Sequence, residues 1–110
     1  MILITQYILV MVTAPSAEVG QQIVDLLIEK KLAACVNMIP AVKSSYLWQG
    51  ESFEDEEVLL LAKTRAQLFE TELVPAIQDI HPYEVPEIMA LPILMGSQSY
   101  LDWIGEMTQH

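Results

Sequence analysis

Val58-Leu59-Leu60-Leu61-Ala62 is apolar at every position. Successive residues of a β-strand point to opposite faces of a sheet, so a strand with one face in water alternates apolar and polar residues. This stretch does not alternate. Neither does Ile8-Leu9-Val10-Met11-Val12 nor the run from Ile88 to Met95. All three read as strands with apolar side chains on both faces.

The segments around these runs supply the connections. Ile8 to Val12 stops at Thr13-Ala14-Pro15, and Ser16 suits the cap of a helix with Val19, Ile23, Leu26 and Leu27 on one face. Lys30 and Lys31 suit the negative end of that helix. Ala34 to Trp48 reads as a long strand interrupted by Pro40, Gln49-Gly50-Glu51 as a turn, and Glu57 to Lys63 as the returning strand. Thr64-Arg65-Ala66-Gln67 has capping-box spacing and predicts a second helix, with Phe69, Leu73, Ile77 and Ile80 inward and a kink at Pro75. Ser97 or Ser99 caps a short last helix carrying Tyr100, Trp103, Ile104 and Met107. The order βαββαβ plus a terminal helix predicts an α+β, ferredoxin-like fold. Right-handed crossovers then set strands one and three in the middle of an antiparallel sheet, with both main helices on one face.

That topology leaves the second face bare. Large apolar side chains there would form a patch beyond the few hundred Å² that soluble monomers show. The terminal helix is too short to cover it all, and the simplest cover is another copy of the chain. A straight second strand would span roughly 50 Å, against a radius of gyration near ~13 Å for a domain of this size. The hairpin must therefore bend at Pro40, project as an arm, or both, and an arm can pair with a neighbour's edge.

The chain of 110 residues reads as one domain, 1–110, with a leader at 1–7 and the last helix at 97–107. A formal charge of −10 beside 53% hydrophobic residues excludes nucleic acid and anionic membrane as partners, since phosphates need clustered Lys and Arg. The single cysteine, Cys35, rules out an intrachain disulfide and suits a reducing compartment. Met1 to Val12 has no basic start and falls short of the ~20 residues of a spanning helix. The expected location is the cytoplasm.

Chemistry concentrates in His81-Pro82-Tyr83-Glu84-Val85-Pro86-Glu87-Ile88. Two prolines stiffen a segment bearing an imidazole, a phenol and two carboxylates, as a ligand site needs. The same residues would equally serve to end a helix and turn the chain. Cys35 is either a soft donor or a small core residue. Tyr46 and Trp48 share a face near the hairpin tip and suit subunit packing or a lid. Glu51, Glu54, Asp55, Glu56 and Glu57 read as a solvated edge, with weak affinity for hard cations as the alternative. Lys63 could pair with Glu84 or Glu87, or hold an anion. Met38, Met89 and Met95 could offer thioethers to cuprous ion. There is no phosphate loop, nucleophile elbow or paired-cysteine metal motif, so no enzyme is expected.

Leu32-Ala33-Ala34-Cys35-Val36-Asn37, Ser45-Tyr46-Leu47-Trp48-Gln49-Gly50, Glu56-Glu57-Val58, Lys63-Thr64 and His81 to Glu87 together resemble the CutA family. The resemblance runs from about Val10 to Trp103. It implies a ferredoxin-like subunit in a compact homotrimer, and a role in tolerance to copper and other divalent cations, copper binding having been attributed to the family. On that reading the metal donors are Cys35, His81, Glu84 and Glu87, with copper or another divalent cation at subunit junctions. The alternative is a sensor or scaffold like the PII signalling proteins. Its small-molecule cleft would be lined by Tyr46, Trp48, Lys63 and Tyr83 together with His81, Glu84 and Glu87.

Overall fold

The structure is a computed structural model and describes residues 5–109. The strands and helices run β1 (Tyr7–Ala14), α1 (Ala17–Glu29), β2 (Cys35–Trp48), β3 (Glu51–Arg65), α2 (Val74–Ile80), β4 (Ile88–Pro92) and α3 (Gln98–Met107). They build one four-stranded sheet in the order β2-β3-β1-β4, antiparallel throughout, with β1 and β3 central as expected. Of the leader, residues 1–4 lie outside the described residues, and Tyr7 already pairs with Arg65.

The central registers fix which side chains share a face. Val10 opposes Ala62 and Val12 opposes Leu60, and these four are fully buried beneath Ile23 and Leu27 of α1 and Ile77 of α2. Each buried Val, Leu or Ile side chain here contributes roughly 1.5–3 kcal/mol relative to exposure, and the Ala62 methyl less. Ser16 caps α1 as predicted, its Oγ accepting from the Val19 N–H at 3.2 Å. Helix α1 lies so close to the sheet that a Cβ on Gly20 would sit 2.9 Å from Val58 Cγ2.

The second face carries Leu9, Met11, Leu59, Leu61, Met89 and Leu91, one residue out of phase with the core. Helix α3 covers one end of it. Gly105 approaches so closely that a Cβ would stand 3.0 Å from the Tyr7 hydroxyl, and Arg65 Nε donates to Thr108 Oγ1 at 3.0 Å. Beyond α3 the face is open. Ile39, Met89 and Leu91 are each more than two-fifths exposed.

The hairpin both bends and projects. Ile39 opposes Leu59 and Val42 opposes Glu57, so Pro40 and Ala41 face the single residue Val58 in a β-bulge. Ala41 takes a φ of 59° there, and Pro40 has no N–H to lose from the ladder. Gln49 and Gly50, with φ of 50° and 82°, make the tight primed turn at the tip. Residues before Val58 have no partner on β1, which leaves a two-stranded arm in a molecule 43 Å long.

Several boundaries differ from expectation. Strand β3 begins at Glu51 rather than Glu57, because the arm continues its ladder to the turn. Strand β4 stops at Pro92 rather than Met95, at a residue without an N–H. Thr64 is not a helix cap: it lies inside β3 opposite Ile8. The second helical segment instead opens as a 3₁₀ turn, Ala66–Leu68, and a π turn, Phe69–Leu73. Pro75 sits in the first turn of α2, directly after the π turn, so its missing N–H falls where the helical hydrogen-bond pattern changes. Leu73 and Ile77 are inward as predicted, but Ile80 is 39% exposed because it closes the helix beyond the sheet.

The Thr64 hydroxyl is buried with no hydrogen-bond partner among the described residues. Thr64→Val is therefore expected to raise unfolding free energy by about 1 kcal/mol, the cost of a stranded polar group. Urea denaturation at fixed protein concentration measures it, and a loss of stability would show that the hydroxyl is satisfied.

Candidate functional site

Pro82 disfavours helical geometry in the residue before it, and His81 accordingly turns extended with ψ of 133°, closing α2. The turn swings the imidazole back against β1, where it is only 8% exposed. Nε2 lies 2.8 Å from the Thr13 carbonyl, and Nδ1 accepts from the Tyr83 N–H at 3.1 Å. A carbonyl only accepts, so this network assigns the proton to Nε2 and leaves Nδ1 as the acceptor. Both ring nitrogens are thus occupied by backbone. Metal ligation at Nδ1 requires the Tyr83 N–H to be released first.

The same bond places Tyr83. Its ring lies 4.7 Å from the imidazole, and its hydroxyl donates to Glu57 Oε2 at 2.7 Å. Glu57, read from the sequence as part of a solvated edge, is 7% exposed. It projects from the opposite side of β3 to Val58, where β1 has ended and Tyr83 fills the gap. Tyr46 donates to Asp55 two positions further along the strand and stacks on Phe53 at 5.7 Å. Burial, then the Glu57 bond and its charge, push the Tyr83 phenol above the ordinary tyrosine range. The Asp55 bond does the same for Tyr46.

A second cluster lies at the other end of the open face. Cys35 opposes Lys63, whose Nζ is 4.0 Å from Sγ and donates to the Asn37 side-chain oxygen. Burial raises the Tyr100 phenol, and the neighbouring Cys35 sulfur adds to it. The thiol is half-buried and reduced, neither a core residue nor fully open.

The expected site residues therefore divide. His81 and Tyr83 meet each other, joined by Glu57, while Cys35 and Lys63 meet at the far end. Leu9, beside Lys63, and Thr13, beside His81, are four residues apart on β1, or roughly 13 Å. Lys63 pairs with neither Glu84 nor Glu87, which are exposed in the loop, and Trp48 stands at the arm tip. Among the described residues, no three His, Cys, Asp or Glu side chains converge to hold a metal ion. Sequence reading missed Glu57 as a buried group, and named Asn37 and Tyr100 only as a motif residue and a helix residue, not as neighbours of Cys35 and Lys63. The available signal was parity: Glu57 is in phase with Leu59 and Leu61 on the open face.

The chain is a small α+β protein with polar clusters at both ends of a half-open apolar sheet. Residues 8–107 match the family described as CutA1 divalent ion tolerance protein. A relative from Thermus thermophilus, the divalent-cation tolerance protein CutA, is 50% identical over 90% of this chain and 95% of its own length. The chloroplastic protein CutA of Arabidopsis thaliana is 43% identical over 94% of this chain, which spans 56% of that relative. The crystal structure of CutA1 from Oryza sativa superposes with a TM-score of 0.91 at 40% identity, covering 96% of each chain. The chain belongs to the CutA family. The family description and the Thermus thermophilus relative carry tolerance-protein names, and they favour cation tolerance over the sensor alternative. No helix among the described residues is long and apolar enough to cross a membrane.

The raised tyrosines set an alkaline limit. An unfolded chain loses its phenol protons near pH ~10, whereas folded Tyr83 keeps its proton above that. Stability from this group is therefore intact below pH ~10 and declines as pH rises beyond it. Phenolate absorbance should show Tyr83 ionising late, and Tyr83→Phe should remove that late step. The same change should cost about 1–3 kcal/mol of stability by stranding the Glu57 carboxylate. Ionisation of every tyrosine in one step near pH ~10 would contradict this assignment.

Proposed function

We propose that the chain acts in the cytoplasm as a non-catalytic homotrimer of ferredoxin-like subunits that binds copper or another divalent cation and supports tolerance to it. The single observation that carries the assembly is the open sheet face, which α3 covers at one end only. Large apolar side chains on such a face favour burial against another copy.

The metal reading rests on family membership and on donor chemistry. Cys35 offers a half-buried thiol on the face that assembly would enclose, with Lys63 Nζ 4.0 Å from its sulfur. A soft sulfur donor suits copper, and the exposed carboxylates of Glu84 and Glu87 can complete a coordination sphere from a neighbouring subunit. His81 joins that sphere through Nδ1 once the Tyr83 N–H lets go, so metal binding competes with the loop's own hydrogen bond.

Calorimetric titration of the reduced protein with copper tests this reading. Cys35→Ser should weaken copper affinity at least tenfold, and Glu84→Gln with Glu87→Gln should weaken it further. His81→Ala should weaken binding and also lower thermal stability, because it frees both Thr13 and Tyr83. Copper affinity indifferent to all of these changes would overturn the site.

A further inference from the structure

We propose that Glu57 of one copy and Lys63 of the next form an ion pair across the covered sheet face and set the register of the assembly. Glu57, Leu59, Leu61 and Lys63 alternate along β3 and share that face, so two opposite charges bracket its apolar centre. Among the described residues, neither charge meets a counter-charge. Glu57 meets the neutral Tyr83 phenol, and Lys63 meets the Asn37 amide oxygen and the Cys35 sulfur. The only ion pair among the described residues is the exposed Lys43–Glu54 contact on the arm. Six residues of extended strand put Glu57 and Lys63 roughly 20 Å apart, too far to neutralise each other.

Glu57 is already nearly shut off from water beside Tyr83, and covering the face takes the remaining water from Lys63 as well. A buried charge without a counter-charge is strongly unfavourable, and like charges brought together are worse. A second copy of the same strand offers the missing partner: its positive end fits this chain's negative end. In a closed ring every junction then contains one such pair. The pairing also accounts for how a chain of net charge −10 can accept copies of itself at this face.

The inference rests on the homotrimer reading, and sedimentation of four proteins separates the two. Wild type, Glu57→Gln, Lys63→Met and the double variant are compared by analytical ultracentrifugation over a dilution series. Glu57→Gln keeps an acceptor for Tyr83, so the fold is retained. Each single change should raise the dissociation constant about tenfold or more, and the double should be no weaker than the worse single. Because the residues are too distant to couple within one chain, that non-additivity reports contact between chains. Glu57→Lys alone should block assembly, and Glu57→Lys with Lys63→Glu should restore it. Additive losses in an assembling wild type overturn the ion pair alone. A monomeric wild type overturns the pair and the trimer together.

Discussion

A sheet apolar on both faces, with its two main helices on one, is the constraint from which the rest of this structure follows. The core face is satisfied within the chain by α1 and α2, whose Ile23, Leu27 and Ile77 close over Val10, Val12, Leu60 and Ala62. Among the described residues, the other face has only α3, ten residues long, held down by Arg65, Thr108 and the close approach of Gly105 to Tyr7. The polar residues that remain on that face stand at its ends, Glu57 enclosed beside Tyr83 and Lys63 against Asn37 and Cys35.

The loop after α2 shows how local stereochemistry is converted into long-range order. Pro82 forces His81 out of the helix, His81 grips the Thr13 carbonyl and the Tyr83 N–H, and Tyr83 reaches across the end of β1 to Glu57. A turn, a central strand and the base of the arm are thereby tied into one unit. His81 is in the first instance a structural residue of this unit. Any metal chemistry it performs is coupled to the position of Tyr83, and through Tyr83 to the face where subunits would meet.

Much of the fold was legible from parity and punctuation. The unbroken apolar runs at Ile8 and Val58, the cap at Ser16 and the turn at Gln49-Gly50 each act over a few residues, and each appears where local rules place it. Thr64 misled because the capping-box pattern is a local preference, and pairing with Ile8 in β3 outweighed it. Glu57 misled for a similar reason. In sequence it closes a run of exposed acids, and only the end of β1 and the arrival of Tyr83 make it buried.

The sequence by itself determined the element order, the two apolar faces of the strands and the family to which the chain belongs, because these depend on side-chain period and motif spacing. Tertiary structure alone decided that His81 spends both ring nitrogens on backbone, that Cys35 lies with Lys63 and far from His81, and that Glu57 is enclosed. Those outcomes depend on which strand ends where, and on residues as far apart as Thr13 and His81 coming within hydrogen-bond reach. No local pattern encodes such distances; they exist only once the sheet has formed and the loops have closed over its ends.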